Sequence, residues 1–226
     1  MIKDRIIVAL DVATKNQAFQ LAKNLRDQIS FFKIGLQLYT AEGPEIVHAV
    51  SSTGAKVFLD LKLHDIPNTV ARAVESAGRL GVQLLTIHLS GGREMIRAAT
   101  SSRANDMLLL GVTVLTSSTD DTLREIGIRE HLNDHVLRLA KLGVDEGVDA
   151  LVASPHEIKM IRREFGHKIK IVVPGIRPTW SAQGDQKRIM TPREAFEAGA
   201  DYLVIGRPIT AHAKPGEAVK EILAEF

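Results

Sequence analysis

Short apolar runs rich in β-branched residues alternate with longer amphipathic segments from one end of the chain to the other. Eight such runs stand out: Ile6–Leu10, Phe31–Ile34, Lys56–Leu59, Leu84–Ile87, Met107–Val114, Ala150–Val152, Ile169–Val173 and Tyr202–Ile205. The intervening segments carry helical spacing. Ala18, Leu21, Ala22 and Leu25 recur at i, i+3, i+4, i+7, as do Val70, Ala73, Val74 and Ala77. Val136, Leu139 and Ala140 share a face in a later segment. Pro67 sits early in its helix, Thr191-Pro192 reads as an N-cap followed by a first-turn proline, and Gly81, Gly147 and Gly199 fall where helices should stop. Strands apolar on both sides suit a parallel sheet covered by helices. Eight β-then-α units predict a closed (β/α)8 (TIM) barrel, with an open doubly wound sheet as the alternative. The 226 residues are close to the roughly 250 typical of one such barrel. No composition shift or linker divides them, so residues 1–226 read as a single α/β domain.

Composition narrows the function classes. Lys and Arg exceed Asp and Glu by only two, too even a balance for an electrostatic nucleic-acid or membrane binder. The chain has no cysteine, which excludes disulfides, thiolate metal sites and a cysteine nucleophile. Met1–Arg5 runs straight into the first strand, and no apolar stretch is long enough to span a bilayer. A soluble, cytoplasmic protein is expected. The long polar segment from Pro178 to Met190, which contains Trp180 and Gln183, reads as a lid over a ligand.

Chemistry in a parallel barrel sits at the C-terminal ends of the strands. Charges collect there: Asp11 after strand 1, Lys33 within strand 2, Asp60 and Lys62 at the end of strand 3, and His88 at the end of strand 4. Thr116 follows strand 5, Pro174-Gly175-Ile176-Arg177 strand 7, and Gly206-Arg207 strand 8. Taken singly, a strand-end aspartate can cap a helix and a lysine can snorkel to the rim. Together they are hard to explain as packing. Asp60 and Lys62 are two apart, so on an extended strand they point to one side, leaving Leu59, Leu61 and Leu63 for the helices. A pair buried in this way needs further charges, for which Lys33 and Asp65 are available. Asp65 falls too late to share the strand face; it can turn back or reach a neighbouring subunit. His131 and His135, four apart, lack a visible third ligand and read as a solvated helix face rather than a metal site. His64 is given no role, and His88 reads either as pocket-lining or as structurally hydrogen-bonded.

The motifs Ala9-Leu10-Asp11, Lys33-Ile34-Gly35, Asp60-Leu61-Lys62-Leu63-His64-Asp65-Ile66-Pro67-Asn68-Thr69, Thr113-Val114-Leu115-Thr116-Ser117, Pro174-Gly175-Ile176-Arg177 and Ile205-Gly206-Arg207-Pro208-Ile209 resemble those of the orotidine 5′-phosphate decarboxylases nearly end to end. The shorter Asp-x-Lys-x-x-Asp core is shared with sugar-phosphate relatives. The resemblance implies a homodimeric (β/α)8 barrel that converts orotidine 5′-monophosphate to uridine 5′-monophosphate and carbon dioxide without metal or organic cofactor. Carried over residue by residue, Lys33, Asp60, Lys62 and Asp65 would form an alternating charge array, with Asp65 and Thr69 donated across the dimer interface. Asp11 and Lys33 would bind ribose hydroxyls, and Thr116 or Ser117 the pyrimidine. Gln183, Arg207 and the Gly206 amide would hold the phosphate, and Pro174 would also belong to the substrate-binding set.

Such a reaction leaves negative charge on a ring carbon with no electron sink, so fixed electrostatics must stabilise it. Lys62 suits that task and can supply the replacing proton. Asp60 would either press on the departing carboxylate or position Lys62. Two other readings stay open. One is a Mg²⁺-dependent sugar-phosphate aldolase or 3-keto-gulonate-phosphate decarboxylase, which would need a carboxylate at the end of strand 2, where this chain has Lys33. The other is a non-catalytic nucleotide-binding barrel.

Overall fold

In the computed structural model, which describes residues 2–181 and 190–226, eight parallel strands close into a barrel in sequence order. They are β1 (Ile6–Ala9), β2 (Phe31–Gly35), β3 (Lys56–Leu63), β4 (Leu84–His88), β5 (Leu108–Val112), β6 (Ala150–Val152), β7 (Lys170–Val173) and β8 (Tyr202–Ile205). The helices between them are α1 (Lys15–Leu25), α2 (Leu36–Glu42), α3 (Glu45–Ser51), α4 (Pro67–Arg79), α5 (Gly92–Ser101), α6 (Asp120–Glu125), α7 (Leu132–Asp145), α8 (Ile158–Phe165) and α9 (Pro192–Ala198), with α10 (Arg207–Thr210) and α11 (Pro215–Ala224) after β8. The expected barrel is therefore present, and the open sheet is not.

Local signals act where the sequence places them. Thr191 and Glu194 form a reciprocal capping box at the start of α9, with Pro192 in the first turn. Gly199 ends that helix at φ +112°, a left-handed conformation open to glycine at no steric cost.

Side-chain alternation builds two apolar layers. Ile7, Phe31, Phe58, Leu84, Leu110, Ala150, Val172 and Val204, one from each strand, fill the barrel interior. Their sequence neighbours, such as Val8, Phe32, Leu59, Leu85 and Leu203, pack outward against the helices. Because alternation has period 2, a step of two residues from that inner layer toward the strand C-termini stays inside the barrel. Those steps arrive at Ala9, Lys33, Asp60, Thr86, Val112, Val152, Pro174 and Gly206. The periodicity that makes a dry floor thus delivers polar groups to its mouth.

β3 extends past its apolar run to Leu63, as the pairing of Asp60 with Lys62 requires, but its register with β4 slips between Leu59 and Leu63. Lys62 there has φ +51°, the one positive φ at a non-glycine among the described residues. Asp60 and Lys62 still share a side, and Leu61 and Leu63 still pack outward, but across a bulge and not along a regular strand.

Candidate active site

The barrel mouth holds an open cavity of about 230 Å³. Ala9, Phe58, Val112, Val152 and Val204 contribute its apolar lining, and Asp11, Lys33, Asp60, Lys62, Thr116, Arg177 and Arg207 its polar lining. An apolar pocket with a few convergent polar groups is the usual form of a small-molecule site.

Four charges on three strand ends form one chain of contacts. Lys62 Nζ lies 2.8 Å from Asp60 Oδ1, Lys33 Nζ lies 3.5 Å from Asp60 Oδ2, and Lys33 Nζ lies 3.3 Å from Asp11 Oδ1. Lys33 and Asp60 are almost fully buried, whereas Asp11 is half exposed at the rim. Burial opposes the charged form of Asp60, but the ammonium groups of Lys33 and Lys62, with hydrogen bonds from Lys62 and Thr86, outweigh it and hold the carboxyl below its ordinary range. The site is a carboxylate flanked by two cations.

Thr86 was invisible in the sequence as a site residue. Fully buried on β4, it accepts a hydrogen bond from the Lys62 backbone N–H at 2.9 Å and donates one to Asp60 Oδ1 at 3.0 Å. A single threonine inside the apolar run Leu84-Leu85-Thr86-Ile87 gives no motif; only its inward parity points to the mouth.

Small residues make room for the charges. A Cβ on Gly35 would lie 2.9 Å from Lys33 Nζ, and one on Gly206 would lie 3.4 Å from Asp11 Oδ2. Pro174, Gly175, Gly206 and Arg207 line the side of the cavity formed after β7 and β8. His88 extends the inward series of β4, its ring centroid 5.6 Å from that of His64. Burial, then the neighbouring His64 and Lys62, push its imidazole below the ordinary range against the opposing pull of Asp60.

Other expected residues fall outside the cavity. Asp65 and Thr69 are exposed on the rim, and Asp65 Oδ1 accepts from the Ile66 N–H at 2.6 Å. Ser117 is exposed, while its neighbour Thr116 lines the cavity. Gln183, with most of the expected lid, lies outside the described residues; Trp180 stacks edge-on against His212, the ring centroids 5.8 Å apart. His131 and His135 turn to separate partners, with Nδ1 distances of 3.3 Å to Asp120 and 2.7 Å to Glu130. Among the described residues, no group of three or more His, Asp or Glu side chains is placed to hold a metal ion. None of their helices is long and apolar enough to cross a membrane.

Comparison with known proteins agrees with this geometry. Residues 4–222 match the model of the orotidine 5′-phosphate decarboxylase / HUMPS family. The chain is 49% identical to the orotidine 5′-phosphate decarboxylase of Trichlorobacter lovleyi, over 99% of this chain and 95% of the relative. It is 48% identical to that of Idiomarina loihiensis, over 98% and 97%. The crystal structure of the Lactobacillus acidophilus orotidine 5′-phosphate decarboxylase superposes with a TM-score of 0.84 at 36% identity, covering 99% of both chains. With its barrel, its charged mouth and these relatives, the chain belongs to the orotidine 5′-phosphate decarboxylase / HUMPS family.

Proposed function

We propose that this chain decarboxylates orotidine 5′-monophosphate to uridine 5′-monophosphate, the carboxy-lyase step that completes pyrimidine nucleotide synthesis. The observation that carries the reading is the Lys33–Asp60–Lys62 array at the end of an otherwise apolar barrel. The nucleotide's phosphate lies toward Gly206, Arg207 and Arg177, with Pro174 beside it; the family resemblance adds Gln183, which lies outside the described residues. The ribose hydroxyls meet Asp11 and Lys33, and the base lies over Lys62 with Thr116 at its edge, the exposed Ser117 being left outside. Phosphate binding far from the reacting carbon then contributes energy to closing and organising the site.

In the chemical step the bond from C6 to the carboxyl carbon breaks and its electron pair remains on C6. Carbon dioxide leaves. The Lys62 ammonium lies beside C6, stabilises the developing charge and transfers a proton to it; solvent returns that proton to the amine. Asp60, 2.8 Å from the Lys62 ammonium, aims it. The charge is stabilised by groups already fixed in place, so little reorganisation is needed at the moment of reaction. Neither metal nor organic cofactor has a part in this scheme. The end of β2 carries Lys33 and Gly35, not the carboxylate that the Mg²⁺-dependent reading requires.

We further infer a cytoplasmic homodimer, each chain a single barrel domain over residues 1–226, in which Asp65 and Thr69 complete the partner's site. Their exposure on the rim supports this, as do the exposed apolar side chains of Leu36, Ile66 and Leu115, which follow the C-terminal ends of β2, β3 and β5.

Incubation with orotidine 5′-monophosphate in a chelator tests the function. Stoichiometric carbon dioxide and uridine 5′-monophosphate, at a rate indifferent to the chelator, are expected. A requirement for added Mg²⁺ would favour the aldolase-like reading, and binding without turnover the non-catalytic one.

A further inference from the structure

Lys62 is held at φ +51°, in the left-handed region that L-residues rarely adopt. Such strain persists only where neighbouring structure over-determines it. The slip in the β3–β4 register removes the regular ladder around Lys62. Its backbone N–H is bonded instead to the Thr86 hydroxyl, at 2.9 Å. A hydroxyl has one proton; having accepted from the amide, Thr86 directs that proton to Asp60 Oδ1 at 3.0 Å. The same Oδ1 receives the Lys62 ammonium at 2.8 Å. One side chain thus ties both ends of Lys62: its amide directly, and its ammonium through Asp60.

We propose that Thr86 is a positioning residue for the decarboxylation, its hydroxyl standing in for the missing ladder partner and fixing Lys62 and Asp60 relative to each other. This rests on the assignment of Lys62 as the proton donor. Thr86 is fully buried beneath the charges, so it acts through Lys62 and not by touching the nucleotide.

The test compares Thr86→Val, which keeps the shape and removes the hydroxyl, with Thr86→Ser, which keeps the hydroxyl. For Thr86→Val, a buried amide left unpaired and a lost bond to a carboxylate should lower kcat about ten- to hundredfold, with KM moving less than about threefold. Thr86→Ser should restore kcat to within about threefold of the parent, since the bonding and not the methyl group matters. A parental kcat in Thr86→Val, or a Thr86→Ser as impaired as Thr86→Val, overturns the proposal. Should the valine variant fail to fold, Thr86→Cys, a weak hydrogen-bonding group, replaces it under the same criteria.

Crystal structures provide a readout independent of the reaction. In Thr86→Val, or in Thr86→Cys where that replaces it, Lys62 should leave the left-handed region and its ammonium should move off Asp60. An unchanged Lys62 refutes the positioning role even if turnover falls. Parent protein without decarboxylase activity, but with the relaxed variant structure, would refute the functional reading and leave the Thr86 relationship standing.

Discussion

Lys33 and Asp60 face each other across the β2–β3 pair, Nζ to Oδ2 at 3.5 Å, and the other oxygen of the same carboxylate holds Lys62. One nearly buried anion therefore separates two cations. Replacing it with a neutral isostere, Asp60→Asn, leaves two ammonium groups facing each other in a poorly solvated mouth. The expected outcome is at least a hundredfold fall in kcat/KM and a loss of stability of up to about 3 kcal/mol at pH 7, read by urea unfolding. The sign of the pH effect follows from the lowered pKa of Asp60. Its contribution is complete above the unfolded value of 3.8 and is lost as pH falls through the lower folded value. Parent and variant should therefore differ by a constant amount from neutral pH down to about pH 4 and converge only in stronger acid. Convergence already near pH 6 would contradict this assignment.

Gly35 has φ −97°, so alanine there meets no backbone strain. Its Cβ would instead lie 2.9 Å from Lys33 Nζ and displace the ammonium from Asp11. Gly35→Ala is expected to leave the melting temperature unchanged or slightly higher, because alanine restricts the unfolded chain, while KM for the nucleotide rises about tenfold. An unchanged KM would show that the Lys33–Asp11 contact does not serve the ligand.

Much of this was legible before the structure, for identifiable reasons. Strand number and order follow from burial on both faces, which leaves continuous apolar runs that polar loops cannot imitate. The inward direction of Lys33 and Asp60 follows from strict alternation. What alternation cannot register is a slip in it. The apolar run of strand 3 stops at Leu59, yet Asp60 and Lys62 read as extended strand beyond it, and the strand does continue to Leu63; the register slip between Leu59 and Leu63 and the positive φ of Lys62 left no mark in the sequence. Thr86 stayed hidden because one hydroxyl in an apolar strand commonly bonds locally, and its partners lie 24 and 26 residues away. The short helices α2, α6 and α10 are too brief for helical periodicity to emerge.

Asp65 sits on the exposed rim and makes no ion pair with Lys62 of its own chain, so its proposed role depends on a second subunit. Two individually inactive variants, Lys62→Ala and Asp65→Asn, test this when mixed. In a two-fold dimer with random exchange, half the dimers are mixed, and each mixed dimer carries one intact composite site. Mixing equal amounts should therefore recover about a quarter of the parental activity. Mixed dimers that form but remain inactive would exclude the shared site.

The central claim is that a fixed ammonium group, not a bound cofactor, stabilises and protonates the ring anion. Measuring kcat for orotidine 5′-monophosphate and Kd for uridine 5′-monophosphate in Lys62→Ala tests it most directly. The account requires kcat to fall by about 10⁴-fold or more, as loss of both a proton donor and a preorganised charge demands, while Kd changes less than about tenfold because the phosphate grip is untouched. Turnover within about tenfold of the parent protein, or a loss of binding as large as the loss of turnover, would contradict it.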